Sequence, residues 1–144
     1  MTVAHILREK GGEVATIEPD ASVGEAVRRL AERGIGALLV CDRGGRICGV
    51  LSERDIVRAL ADESAPVSER PVSDLMTADV VTVRPEDDIA SVMALMTERR
   101  IRHLPVLDAR GRLVGLISIG DVVKRRIADA EHEAEALKDY IRMA

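Results

Sequence analysis

The 144-residue chain has no phenylalanine, no tryptophan and one tyrosine, Tyr140. Single-stranded nucleic acids are commonly held by stacking bases on aromatic faces, so that mode is close to excluded. A base-like ligand would have to lie between aliphatic side chains. There is no basic excess either: 21 Lys and Arg face 25 Asp and Glu, for a net charge of −4. General nucleic-acid affinity comes mostly from such an excess. The two cysteines, Cys41 and Cys48, make no disulfide framework. With three histidines (His5, His103, His132), no HExxH and no paired CxxC, no metal site is expected. Apolar runs such as Ile35 to Cys41 are far too short to cross a membrane. Met1 to His5 shows no basic region leading into an apolar stretch, as a secretory signal would. The expectation is a cytoplasmic protein with neither a nucleic-acid nor a membrane partner. No GxSxG, P-loop or nucleophile–base pair stands out, and the protein is expected to be no enzyme. Gly34-Ile35-Gly36 begins a loose dinucleotide-like pattern, but it follows a helix and enters a strand, the wrong order.

What is present is a repeat. Residues 14–61 lie over residues 80–127 at a constant offset of 66, with 15 identities in 48 aligned positions. The matches keep glycine, proline, serine and aspartate in one register, which chance would not do. Thr16-Ile17-Glu18-Pro19 falls on Thr82-Val83-Arg84-Pro85. Gly45-Arg46-Ile47-Cys48-Gly49 falls on Gly111-Arg112-Leu113-Val114-Gly115.

Each repeat reads as strand, helix, strand, strand, helix, an α/β fold of two β-α-β-β-α repeats. Val14 to Ile17 is a short β-rich run. Ser22 with Glu25 has the capping-box spacing, and Val23, Ala26, Val27 and Leu30 follow at helical intervals. Asp88 takes the cap position in the second repeat, before Ile89, Val92, Met93 and Met96. Ile35 to Cys41 and Ile47 to Leu51 read as a hairpin turning at Asp42-Arg43-Gly44-Gly45. Ser52 and Ser118 cap the second helices, which carry Ile56, Val57, Leu60 and Val122, Val123, Ile127. The expected organisation is repeat 1 over 1–61, a polar linker over 62–71, repeat 2 over 72–128 and a helical tail over 129–144. A short helix precedes each repeat: Val3 to Leu7 matches Val72 to Met76 at an offset of 69, so the first copy carries three extra residues around Gly11-Gly12. In the tail, Ile127, Ala130, Ala134, Leu137 and Ile141 form a single apolar seam over about two heptads.

The doubled pattern resembles a known family. Thr-x-x-Pro, a helix, an aliphatic strand ending in Asp and then Gly-h-h-Ser-x-x-Asp occur twice, the last as Gly49 to Asp55 and Gly115 to Asp121. With Arg102-His103-Leu104-Pro105-Val106, this is similar to a tandem pair of cystathionine-β-synthase (CBS) domains, a Bateman module, over residues 1–128. The resemblance implies two repeats about a pseudo-twofold axis with clefts for adenosine-containing ligands: AMP, ADP, ATP, NAD or S-adenosylmethionine. It implies a stand-alone regulatory module that forms a homodimer and acts on an unnamed protein partner, with an adenine nucleotide as ligand and no obligatory cofactor. It places Thr16, Ile35, Gly36, Ala37, Arg102, His103, Ser118 and Asp121 at one site. The mirror site would hold Thr82, Ile101, Arg102, Gly36, Ala37, Ser52 and Asp55.

Each of these residues also has a plainer role. Asp55 and Asp121 could simply favour the first turn of a helix against its dipole; as ligand residues they would accept from the ribose diol, beside free N–H groups suited to phosphate. Thr16 and Thr82 could be turn formers. Arg102 could fork onto a phosphate or be a solvated charge. His103 could donate to a phosphate when protonated or be a packed ring. Gly36 and Ala37 stand where the second repeat has Arg102 and His103, so the Asp121 site is expected to favour phosphate more strongly. Cys41 and Cys48 align with Leu107 and Val114, which makes them small hydrophobes, with a redox switch as the minority reading. The rival to a ligand sensor is a structural adaptor with vestigial clefts that works through dimerisation or docking.

Overall fold

A computed structural model describes residues 1–62 and 66–143. Of the expected linker, Glu63 to Ala65 lie outside the described residues, as does Ala144 at the end of the tail. The elements in order are α1 (Val3–Lys10), β1 (Thr16–Ile17), α2 (Val23–Arg33), β2 (Ala37–Cys41), β3 (Ile47–Ser52) and α3 (Glu53–Ala61). A 3-10 turn (Val67–Glu69) and α4 (Val72–Leu75) follow, then α5 (Ile89–Arg99), β4 (His103–Leu107), β5 (Leu113–Ser118) and α6 (Ile119–Met143). The α/β repeat pattern and the long C-terminal helix expected from the sequence are both present.

The chain forms two compact units, and they do not coincide with the sequence repeats. One unit is Val14–Val81; the other joins Met1–Glu13 to Thr82–Ala144. The helix before each repeat therefore belongs with the other repeat's strands. Backbone hydrogen bonding gives the reason. The first N–H groups of a helix have no partner within it. Those of α4 find carbonyls in their own unit, Val72 N to Ala21 O at 2.8 Å and Ser73 N to Pro19 O at 2.9 Å. Those of α1 make the matching bonds in the other unit, Val3 N to Asp87 O at 2.9 Å and Ala4 N to Pro85 O at 2.8 Å.

In the unit Val14–Val81, β1 pairs parallel with β2, and β2 pairs antiparallel with β3. Ile17, Val23, Ala26, Leu30, Leu38, Val40, Leu51 and Ile56 form the core, closed by Val67 and Val72. Val67, inside the expected polar linker, is a buried anchor. Ser22 caps α2 by accepting from Glu25 N at 3.1 Å. The Glu25 carboxylate does not complete a box; it takes Arg28 at 2.9 Å and Arg29 at 3.3 Å. Gly34 ends α2 in the left-handed region at φ 61°. The hairpin turns on Asp42, whose carbonyl accepts from Gly45 N at 3.0 Å, with Gly45 at φ 80°.

In the other unit β4 and β5 repeat the hairpin, and Asp108 and Gly111 repeat the turn. Each hairpin carries a register shift just before its end, at Val40/Cys41 and Val106/Leu107. Here the expected first strand shrinks to one parallel bridge, Val83 to Val106. In the first repeat, Leu39 N donates to Ala15 O at 3.0 Å. The counterpart of Leu39 is Pro105, which has no N–H to give, so that rung of the ladder is lost. Arg100 ends α5 at φ 54°, where the first repeat uses Gly34.

The second helices differ from expectation on their apolar faces. Ile56 and Val122 are buried, but Val57 and Leu60 are 63% and 60% exposed and Ile127 is 55% exposed. The periodicity found the helices correctly, but it does not say which apolar side chains the sheet is wide enough to cover.

The motif glycines carry the crossing segments. A Cβ on Gly49 would stand 2.7 Å from both Met76 Sδ and Thr77 O, where Val50 and Thr77 exchange backbone hydrogen bonds of 3.0 and 2.9 Å. A Cβ on Gly115 would overlap the Leu7 side chain of α1. Gly115→Ala is expected to cost about 1–3 kcal/mol, the usual price of overpacking a filled site. Urea unfolding of the variant measures it; an unchanged midpoint would show that Leu7 gives way freely.

Candidate functional site

The candidate residues gather where each hairpin ends and the next helix begins. In the unit Val14–Val81, Ala37 pairs with Ser52 across β2 and β3. Gly36 O accepts from Glu53 N at 3.0 Å, tying the start of β2 to the first residue of α3. In the other unit His103 pairs with Ser118, and Arg102 O accepts from Ile119 N at 2.8 Å. One unit thus collects Ile35, Gly36, Ala37, Ser52 and Asp55, and the other Ile101, Arg102, His103, Ser118 and Asp121. Thr16 opens β1, Thr82 stands just before the single bridge at Val83, and both are exposed. The Thr16 carbonyl accepts from Arg29 Nη1 at 2.7 Å.

Both aspartates close capping boxes. Ser52 N donates to Asp55 Oδ2 at 2.9 Å, and Asp55 N donates back to Ser52 Oγ at 3.4 Å. Ser118 N donates to Asp121 Oδ2 at 2.8 Å, and Asp121 N returns to Ser118 Oγ at 3.2 Å. The plain helix-start role is therefore real at both positions. Among the described residues the hydrogen bonds to both carboxylates fall on Oδ2.

The two turns differ in one neighbour that the sequence did not disclose. Lys10, the last residue of α1, places Nζ 2.7 Å from Asp121 Oδ2 and 2.8 Å from Leu116 O. Next to it, Glu9 accepts from Arg125 Nη1 at 2.7 Å, and Arg125 Nε lies 3.3 Å from Asp129. Two adjacent residues of α1 thus dock on α6 one turn apart. The only signal in the sequence was the three-residue excess after the first copy of the short helix, which lets α1 run eight residues where α4 runs four. Arg102 is exposed, and its guanidinium makes no ion pair among the described residues.

Burial pushes the Asp121 carboxyl up, but the hydrogen bond from Lys10, the backbone and hydroxyl bonds from Ser118 and the lysine charge together outweigh it and hold the group below 3.8, its ordinary value. A lowered native pKa means that stabilisation is in place above the unfolded value and is lost as pH falls through the native one. Burial pushes the Cys41 thiol up, with Cys48 and Asp42 adding to it. A protonated thiol is a poor nucleophile, so the hydrophobe reading of this cysteine is the better one. No helix among the described residues is long and apolar enough to cross a membrane.

A model of the CBS domain matches residues 3–62 and 72–128. A CBS-domain protein from Agrobacterium tumefaciens superposes with a TM-score of 0.83 at 43% identity, covering 87% of this chain and 92% of its own. The mitochondrial CBS domain-containing protein CBSX3 of Arabidopsis thaliana is 32% identical over 97% of this chain and 71% of its own length. Two solved neighbours hold ligands. CBSX2 in complex with AMP has a TM-score of 0.70 at 28% identity, over 90% of this chain and 98% of that one. The CBS domain pair of MJ0100, in complex with 5′-methylthioadenosine and S-adenosylmethionine, has a TM-score of 0.75 at 26% identity, over 86% and 98%.

One consequence of the Asp121 turn is a pH signature. Asp121→Asn should lower stability at pH 7 by about 1 kcal/mol or less, since the pair is partly exposed. The difference should shrink as the pH falls below about 4. Denaturant unfolding of both proteins at pH 7 and pH 3 tests this; a gap equal at both would mean that the charge of Asp121 adds nothing to folding.

Proposed function

The chain belongs to the CBS-domain family, with two copies in tandem, and on that premise we propose that it is a non-enzymatic regulatory module that binds an adenosine-containing ligand, with AMP, ADP, ATP and NAD as the candidates. The observation that carries the reading is the doubled Ser-x-x-Asp turn. Ser52 with Asp55, and Ser118 with Asp121, each present an ordered carboxylate at the start of a helix. A carboxylate is the natural acceptor for a ribose diol, and a helix start is the natural place for a phosphate. The adenosine ligands of two solved neighbours support the same class. With no tryptophan or phenylalanine in the chain, the base rests on aliphatic surface such as Ile35 and Ile101. A bound ligand favours one arrangement of the module over another, and a partner protein reads that population.

Calorimetry with AMP, ADP, ATP, NAD and S-adenosylmethionine tests the class. Micromolar to millimolar binding is expected, with two steps when both turns are used. Asp121→Ala should weaken one step and Asp55→Ala the other, each by about tenfold or more, the worth of hydrogen bonds to a charged group. The Asp121 step should be the tighter with phosphate-bearing ligands, because Arg102 and His103 stand beside it. No heat and no thermal shift with any of the five would remove the reading.

We further propose that the chain is a homodimer to which the end of α6 contributes. Leu137 and Ile141 are 60% and 64% exposed on a helix that continues past its own sheet. Charged neighbours, including Glu133 and Lys138, suit the wet edges of a helix seam. Leu137→Glu combined with Ile141→Glu should weaken self-association about tenfold in sedimentation and leave nucleotide binding in place. Dimers of unchanged strength would assign the tail to a different partner.

A further inference from the structure

The two aspartate turns are built alike, yet among the described residues only one carries a cation. Among the described residues Asp55 bonds only within its own turn, to Ser52. Asp121 Oδ2 is held by Ser118 N at 2.8 Å and by Lys10 Nζ at 2.7 Å. The lysine is placed by the fold. Gly11 N closes α1 onto Leu7 O at 2.7 Å, with Gly11 at φ 90°. The Glu9–Arg125 pair at 2.7 Å pins the same turn of α1 to α6, and Leu116 O takes a second lysine proton at 2.8 Å. In the sequence the residue aligned with Lys10 at the offset of 69 is Asp79, of opposite charge and beyond the end of α4.

The lysine is nonetheless displaceable. Its side chain is 39% exposed and that of Asp121 26%, and ion pairs of that exposure are weak. An ammonium on a four-carbon stem turns easily to a new anion.

We propose that Lys10 determines ligand specificity at the Asp121 turn, selecting nucleotides that carry a phosphate over neutral or cationic nucleosides. The inference rests on the nucleotide reading above and narrows it. A ribose diol that donates to the Asp121 carboxylate draws on the same negative charge as the ammonium and loosens that pair. A phosphate gives the displaced ammonium a new partner, alongside Arg102, which has no ion-pair partner among the described residues. A neutral nucleoside leaves Lys10 without its carboxylate and without compensation, and a sulfonium adds a like charge. The Asp55 turn, without a lysine, makes no such distinction. The Asp121 turn therefore suits AMP-type ligands, and the phosphate-free pair 5′-methylthioadenosine and S-adenosylmethionine is left to the Asp55 turn.

The test is calorimetric titration of the full chain with AMP and with adenosine, in an Asp55→Asn background so that one turn reports. Lys10→Met and Lys10→Gln remove the charge and Lys10→Arg keeps it; circular dichroism melts confirm that each is folded. The neutral variants should bind AMP more weakly and adenosine more tightly, so that the ratio of the two affinities falls about tenfold or more. Lys10→Arg should keep most of the ratio. An unchanged ratio in the neutral variants overturns the role of Lys10 and leaves the nucleotide reading standing. A parallel loss of both ligands also overturns it, because Lys10 would then only shape the turn. If the background protein binds neither ligand while the chain without Asp55→Asn binds AMP, the Asp121 turn is no ligand site and the inference falls alone. If neither protein binds either ligand, the nucleotide reading falls with it.

Discussion

Two positions without side chains organise this molecule. Gly49 and Gly115 lie on the last strand of each hairpin, and each leaves room for a segment that arrives from elsewhere in the sequence. Met76 and Thr77 fill the first gap and Leu7 fills the second. Because those segments are seated there, the helix starts of α4 and α1 reach the carbonyls of residues 19 and 21, and 85 and 87. The seating of Leu7 also brings the end of α1 to α6, and with it Lys10 to Asp121. The glycine that opens the Gly-h-h-Ser-x-x-Asp motif is thus a packing residue, and the aspartate that closes it is left to do two jobs.

Those two jobs share one side chain. Asp121 Oδ2 accepts from Ser118 N and from Lys10, as Asp55 Oδ2 accepts from Ser52. A carboxylate has about four acceptor positions on two oxygens, so capping its helix uses only part of its capacity. Holding the aspartate in the box also fixes its rotamer before a ligand arrives, which lowers the entropy lost on binding.

Much of this was legible in the sequence because it depends on local chemistry. Ser22 and Asp88 cap, Gly45 and Gly111 turn, and Leu38, Val40, Leu104 and Val106 fill strands, each for reasons that operate within a few residues. The offset of 66 then doubled the weight of every such observation. What the sequence hid depends on partners far along the chain. The interleaving of the units needs the hydrogen bonds of α1 and α4, which no periodicity records. The exposed faces at Val57, Leu60 and Ile127 depend on where the sheet stops. The shortened first strand of the second repeat was in principle readable from Pro105, once its partner across the ladder is known. The lysine at Asp121 is separated from it by 111 positions.

That separation also bears on the order in which the chain can assemble during synthesis. The unit Val14–Val81 is continuous, so all of its strands and its closing helix are available once about half the chain has emerged. The other unit is discontinuous, and the segment Val14–Val81 separates its two parts in the chain. Until the segment from Pro85 to Gly115 appears, α1 lacks the carbonyls and the strand it docks on, and Val3, Ile6 and Leu7 stay uncovered. Closing so long a loop is costly in entropy and slow compared with local pairing. Helix α1 therefore leaves the ribosome before the unit Val14–Val81 and finds its place after it.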